Sequence, residues 1–350
     1  RGNVNTTPGT GFEISGQPLP EFGDINPTYP DIFTTFSSPR LFATGISAAS
    51  LGRVIRPILP GRLRRMVDQV PRTPPIPSPV ARPRVYPAEG ERRKRVALLS
   101  GCVQQVLGTS IDAATIRLLT RHGCEVVVAE GGGCCGAVPL HLGFEHAARE
   151  HAKANIAAWL RADASSGIDA IVINASGCGS TVKDYGRILA DDPQWADEAR
   201  RVASMTMDVT ELLSDLPLRL TGEVARMHVA LHLPCSMQHG QGISIAPRRL
   251  LDEAGFEVSL APESHMCCGA AGTYNLIQPA ISDQLGQRKA QALESTGARV
   301  VATGNMGCML HIGRLGALPV VHTVELLDWA TGGEMPARLR SPGDQKGGAA

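Results

Sequence analysis

Eight of the nine cysteines fall into two sets with matching spacing. Cys102 stands 32 positions before the adjacent pair Cys134 and Cys135, with Cys178 beyond; Cys235 stands 32 positions before Cys267 and Cys268, with Cys308 beyond. Neighbouring Cα atoms are about 3.8 Å apart, short of the roughly 4.4–6.8 Å of an unstrained disulfide, so neither pair reads as a cross-link. Thiolates gathered from distant positions suit zinc or an iron–sulfur cluster. Adjacency tilts the reading toward the cluster. Neighbouring side chains diverge and chelate one ion poorly, whereas neighbouring irons offer separate binding directions. Gly136 and Gly269 follow the pairs and would let backbone N–H groups approach cluster sulfurs. Zinc, thiol chemistry and plain burial stay open for the same residues.

Other polar candidates have a blander reading. Cys124 stands where the second set has Phe256, which predicts a small buried apolar residue. His232 and His239 flank Cys235, and His265 precedes the second pair; ligand or relay duty is weighed against structural hydrogen bonding, which is the expectation for each and for His141. Lys183 and Asp184 read as a solvated ion pair. Asn174 and Asn305, shortly before cysteines, are expected to fix their loops by side-chain hydrogen bonds.

The elements that must position these thiols are two copies of one unit. RVALLSGC, ending at Cys102, answers HVALHLPC, ending at Cys235; HGCEVVVAEGGGCCGA answers AGFEVSLAPESHMCCGA; DAIVINASGCG answers ARVVATGNMGC; and DVTELLSD answers HTVELLDW. Such internal similarity marks a duplicated domain. Within the first copy, VALL, EVVVA and AIVIN read as strands, separated by the helical runs AATIRLLTRHG and EHAAREHAKANIAAWL. Strands alternating with helices predict an α/β fold: two tandem, duplicated Rossmann-like domains with parallel sheets, over 95–216 and 222–335. Cys102, Cys134, Cys135 and Cys178 each follow a predicted strand, and loops at the carboxyl ends of parallel strands converge.

The remainder bounds the function. Residues 1–40 read as disordered, 41–94 as an arginine-rich segment and a proline-rich linker, and 336–350 as a disordered tail. Thirty-four basic against thirty-three acidic residues give a net charge of +1, no field for nucleic acid. No secretory signal is recognised, and the apolar stretch Leu41 to Gly52 is too short to span a bilayer. The chain begins with Arg and is read as a fragment or processed form. GQG at Gly240 lacks the third glycine of a dinucleotide fingerprint, with Ile245 in its place.

The motifs GCVQ at Gly101, CCGAVPLHLG at Cys134, NASGCGSTVKDYG at Asn174, HLPCSMQHGQ at His232, HMCCGAAGTYN at His265 and GNMGC at Gly304 resemble a family of cysteine-rich CCG domains. That family includes heterodisulfide reductase, lactate-utilisation proteins and, in closest resemblance, the glycolate oxidase iron–sulfur subunit. The resemblance covers about residues 95 to 331. It implies a non-catalytic electron-transfer subunit: a flavin-bearing partner oxidises glycolate to glyoxylate, and electrons pass toward a quinone or other membrane acceptor. It also implies one or two [4Fe-4S]-type clusters on Cys102, Cys134, Cys135, Cys178, Cys235, Cys267, Cys268 and Cys308, with zinc in one copy as the alternative. The location implied is cytoplasmic, peripheral to the inner face of the membrane through the complex. The alternatives are a lactate-utilisation or heterodisulfide-reductase-like subunit, or a zinc-stabilised scaffold with no redox role.

Two departures qualify the resemblance. The family's N-terminal ferredoxin-like domain carries runs of cysteines, and no cysteine precedes Cys102; the expectation is a truncated copy. The fullest CCG motif ends with a fifth cysteine, where this chain has Thr181 and His311. Four thiols per copy are expected, with imidazole help in the second from His311, and His232 and His265 as further candidates.

Overall fold

A computed structural model describes residues 38–52, 67, 78–221, 224 and 226–340. The expectations for residues 1–37, for most of the arginine-rich segment and linker, and for 341–350 lie outside the described residues. The helix α1 (Pro39–Gly52) buries Phe42 and Ile46 against Val106.

Short runs of β-branched residues become short strands. In the first copy these are β1 (Arg84–Tyr86), β2 (Lys94–Leu98), β3 (Cys124–Val128), β4 (Ala170–Ile173) and β5 (Thr206–Asp208). The sheet order is β1-β3-β2-β4-β5. The helices used below are α2 (Thr109–Arg121), α3 (Glu145–Ser166), α4 (Ser176–Lys183) and α5 (Val209–Ser214). The second copy contributes β6 (His228–His232), β7 (Glu257–Leu260), β8 (Val300–Thr303) and β9 (Val320–His322), in the order β7-β6-β8-β9. Its helices are α6 (Cys235–Gln238), α7 (Ala246–Glu253), α8 (Pro279–Glu294), α9 (Met306–Leu315) and α10 (Thr323–Ala330). Val96 pairs with Val126 and Ala170, as Val229 pairs with Val258 and Val300. The chain thus holds two α/β domains of one design.

The expectation of purely parallel sheets needs one correction. The second sheet is parallel throughout, but β1 runs antiparallel to β3 and makes the first sheet mixed. This strand comes from the stretch read as linker. It is three residues long between Pro83 and Pro87, a setting that an edge strand tolerates because one side of its backbone needs no ladder partner. Tyr86 Oη donates to the Pro79 carbonyl at 2.9 Å, and Ser78 Oγ donates to the buried Asp112 at 2.6 Å. The first bond closes the segment on itself, and the second docks it on α2.

One apolar cluster runs through both sheets, from Val96 and Leu118 to Val301 and Leu327. Across this seam α2 packs on α10. Asp328, 1% exposed, accepts from Arg117 at 2.6 Å and Arg121 at 2.9 Å. A buried carboxylate is tolerated only when so paired. A second stitch centres on Ser176: its Oγ bonds Ser236 Oγ at 2.8 Å and accepts from Asn305 Nδ2 at 3.2 Å, and its N–H donates to the Gly304 carbonyl at 3.1 Å. The loops that carry Cys178, Cys235 and Cys308 are therefore held together.

Candidate functional site

In each copy the fold brings the four thiols to the carboxyl edge of the sheet. Cys102 follows β2, the pair Cys134 and Cys135 lies in the loop after β3, and Cys178 sits in the first turn of α4. Cys102 hydrogen-bonds Cys134, Cys134 bonds Cys135, and Cys135 bonds Cys178. The second copy repeats the chain with Cys235, Cys267, Cys268 and Cys308; Cys268 Sγ lies 3.1 Å from Cys308 Sγ. The adjacent pair splits, one member toward the upstream cysteine and the other toward the downstream one.

The local backbone serves the first member of each pair. Gly136 N–H donates to Cys134 Sγ at 3.4 Å and Gly269 N–H to Cys267 Sγ at 3.3 Å. Both glycines have positive φ, +84° and +87°, and a Cβ would meet the Ala148 carbonyl at 2.9 Å and the Ser282 carbonyl at 2.5 Å. Glycine is thus required twice over, by conformation and by space. Hydrogen bonds from Cys102 and then Cys135 pull Cys134 far below the ordinary thiol range, and bonds from Cys235 and then Cys268 do the same for Cys267. The donating partners Cys102 and Cys235 are pushed up. Such depressed thiols are poised to be thiolate ligands.

The copies part at one position. His232, the last residue of β6, stands where the first copy has Leu99. It is buried, and its Nε2 has no hydrogen-bond partner. The ligand atoms of His232, Cys268 and Cys308 all lie within 4.8 Å of one another. A hydrogen bond from Cys268, ahead of burial and of the His232 imidazole, sets the Cys308 thiol at about 6. A buried imidazole with an unpartnered Nε2 beside two thiols is a donor set for one ion of the kind that takes nitrogen and sulfur together.

This geometry overturns the expected [4Fe-4S]-type cofactor. A three-ligand His/Cys/Cys group fits a single metal ion better than a cluster that asks for a thiolate at each of four irons. The adjacency argument failed for a physical reason: because the pair diverges, only Cys268 of the two belongs to the close group, and His232 completes it.

The other sequence candidates fall elsewhere. His311 Nε2 lies 3.1 Å from the Ser282 carbonyl and 3.2 Å from Ser282 Oγ, outside the close group. His265 is exposed, and its carbonyl lies 3.4 Å from His239 Nε2. Cys124 is a fully buried strand residue whose thiol burial pushes up to about 11. Lys183 pairs with Glu211 at 2.6 Å and Asp184 with Arg187 at 2.6 Å, rather than with each other. Asn305 Oδ1 accepts from Cys308 N–H at 3.2 Å. Asn174 joins a buried network: its Nδ2 donates to Asp112 and Thr115, and its Oδ1 accepts from Gln104 Nε2 at 2.8 Å. That network, which ties the Cys102 loop to the Cys178 loop, was not read from the sequence. Asp112 in an otherwise apolar helix face was its only signal.

Comparison with known proteins places these residues in context. The model of the cysteine-rich domain called CCG matches residues 96–183 and 229–313. The "Glycolate oxidase iron-sulfur subunit" of Escherichia coli (strain K12) is 38% identical over 280 residues, covering 80% of this chain and 66% of that protein. The "Probable glycolate oxidase iron-sulfur subunit" of Bacillus subtilis (strain 168) is 32% identical, covering 79% of this chain and 63% of that protein. The chain thus spans about two thirds of the length of these relatives. "Lactate utilization protein A" of Bacillus subtilis (strain 168) is 31% identical over 242 residues, covering 67% of this chain and 99% of that protein.

Proposed function

Since the chain belongs to the cysteine-rich CCG-domain family of iron–sulfur-subunit type, we propose that it is a non-catalytic subunit of a redox complex that oxidises a 2-hydroxy acid. Its second domain holds a single ion on His232, Cys268 and Cys308. The observation that carries the reading is that buried group of three donors within 4.8 Å. Cys267 or Cys235 is the fourth donor within reach of the same loops. In the first domain Cys102, Cys134, Cys135 and Cys178 form a second candidate site, for an ion held by thiolates alone. A bound ion would supply either structural closure or a one-electron centre, according to whether it is zinc or iron; the chain's own residues supply the thiolates and the buried imidazole.

The hydroxy acid is handled by a flavin-bearing partner, with a quinone-type acceptor beyond. Lactate is favoured by one observation: the two-copy unit accounts for 99% of the length of a lactate-utilisation relative. Glycolate is the second reading, supported by the higher identity of 38%. Among the described residues no helix is long and apolar enough to cross a membrane, so contact with a membrane acceptor is assigned to the complex.

The test is anaerobic purification with metal and acid-labile sulfide analysis, followed by dye reduction with the flavin partner on lactate and on glycolate. The expected result is bound metal without sulfide and partner-dependent turnover on lactate. Sulfide stoichiometric with iron would sink the single-ion assignment, and turnover on glycolate alone would select the second reading.

A further inference from the structure

The helices that carry Cys178 and Cys308 begin differently. Three residues before each cysteine, the first copy has Ala175 and the second has Asn305. Asn305 caps its own helix α9, its Oδ1 accepting from Cys308 N–H at 3.2 Å. Ala175 has no side-chain oxygen, and α4 starts without a side-chain cap. The first turn of a helix leaves N–H groups that need acceptors. The second domain supplies one, because Ser176 N–H donates to the Gly304 carbonyl at 3.1 Å.

Ser176 is fully buried, and each of its polar groups reaches the other domain. Besides the N–H, its Oγ bonds Ser236 Oγ at 2.8 Å and accepts from Asn305 Nδ2 at 3.2 Å, and its carbonyl accepts from Gln241 Nε2 at 3.0 Å. Ser176 is two residues from Cys178, Ser236 adjoins Cys235, and Asn305 holds the Cys308 N–H. The backbones approach closely here: a Cβ at Gly179 would come within 2.7 Å of Gln241 Nε2. A loop that must be ordered to present its thiol costs conformational entropy. Where two such loops are bonded to each other, ordering one lowers the cost of ordering the other.

We infer that Ser176 couples the two thiol sites: the loop of Cys178 and the loops of Cys235 and Cys308 order as one unit, so an ion bound in the second domain also restrains Cys178 in the first. Ser176 is a positioning residue that acts through Ser236 and Asn305. The part that invokes an ion rests on the single-ion reading above, and the part that invokes the loops does not. The probe is iodoacetamide on the full chain, with alkylation of Cys178 and Cys235, both partly exposed, followed by peptide mass spectrometry. Ser176→Ala removes the bridging hydroxyl and leaves the Asn305 cap in place. Ser236→Ala removes the bridge from the other side. Ser180→Ala is the control, because that hydroxyl bonds the Gly177 carbonyl of its own helix at 3.1 Å.

In metal-free protein Ser176→Ala is expected to speed alkylation of Cys235 about fivefold, and Ser236→Ala that of Cys178 about fivefold, with Ser180→Ala changing either less than about twofold. Effects confined to the cysteine of the substituted domain would overturn the inference, as would equal changes in Ser180→Ala. In a second arm, Cys134→Ser and Cys135→Ser strip the first domain of its pair. Saturating Zn2+ is then expected to slow Cys178 alkylation about threefold, and Ser176→Ala or His232→Leu to abolish the slowing. Slowing that survives either substitution would overturn the coupling. If chelator competition shows no bound Zn2+, the single-ion reading falls, and the metal-free rates alone decide Ser176.

Discussion

The two copies share sheet order, cysteine spacing and the glycine after each pair, yet their interiors differ in polarity around the thiols. The first copy surrounds them with Leu99, Asn155 and Tyr185, all neutral and buried. The second has His232 in the first place and, in the second, Lys289, which lies seven residues after Ser282 as Asn155 lies seven after Ala148; Leu315 lies seven after Cys308, as Tyr185 is seven after Cys178. Duplication preserved the backbone that gathers thiols, and substitution set what each gathering can hold. The contrast extends to the helix caps: α5 starts at Asp208 and α10 at His322, each in a reciprocal box with a glutamate three residues on.

The largest effect is expected from erasing the difference at the donor set. His232→Leu gives the second copy the residue of the first and removes one of three close donors. Metal affinity there should fall on the order of a thousandfold, about 4 kcal/mol. Chelator competition measures it, and unchanged affinity would mean that the copies do not differ in the way His232 suggests.

Next comes pH. Burial lowers the His322 imidazole to about 4, and its Nδ1 accepts from Val324 N–H at 3.2 Å, which requires the neutral ring. The unfolded chain, with a histidine near its ordinary value of about 6.5, binds the proton first. The His322 contribution is thus present above that value and is lost as pH falls toward 4, on the order of 3 kcal/mol. Burial raises Asp112 and Asp208 to about 6, so the folded first copy keeps their protons and gains stability on acidification, losing it as pH rises through 6. Urea unfolding at pH 7 and pH 5 should show His322→Asn, which keeps a capping acceptor, less acid-sensitive than wild type. Asp112→Asn should be more so. Parallel shifts in the two variants would break the contrast.

The glycines sharpen it on geometry. Gly269→Ala should cost about 3 kcal/mol and Gly136→Ala about 2 kcal/mol, because both must hold positive φ and the clash with the Ser282 carbonyl is closer than that with Ala148. Thermal unfolding of the two variants gives the order, and a reversed order would show that the second loop yields more easily.

Much of this was legible in the residues. β2, β3, β4, β6 and β8 announce themselves as β-branched runs bounded by polar turns, and the repeat makes each copy a check on the other. The meeting of the thiols followed from strand-to-loop logic. β1 was hidden because three residues between prolines have no period, and it shows itself only in its antiparallel pairing with β3. His232 was legible only as one further ligand candidate among the histidines, because a histidine at a strand end usually reads as a hydrogen-bonding residue; alignment with Leu99 was the signal that it does something its twin cannot. The burial of Lys289 was hidden because a lysine on a polar-looking helix ordinarily points to solvent. The cofactor was misread because four thiols were counted as one ligand set, whereas the divergence of the pair leaves only Cys268 in the close group with Cys308 and His232.

The smallest predicted effect bears on the neutral half of the comparison. Tyr185 is fully buried, its Oη donates to the Cys135 carbonyl at 2.9 Å, and it accepts from Asn155 Nδ2. Tyr185→Phe keeps the ring and removes one bond from a carbonyl that is buried beside the thiols, while Asn155 retains its bond to the Cys134 carbonyl. The cost should be about 1 kcal/mol, a lowering of the melting temperature by about 4 °C for a domain of this size. If the melting temperature does not move, the hydroxyl contributes nothing and the first copy is held by packing alone. A fall several times larger would mean that the neutral network carries as much as the buried charges across the seam, and the two copies would then differ in kind of interaction but not in strength.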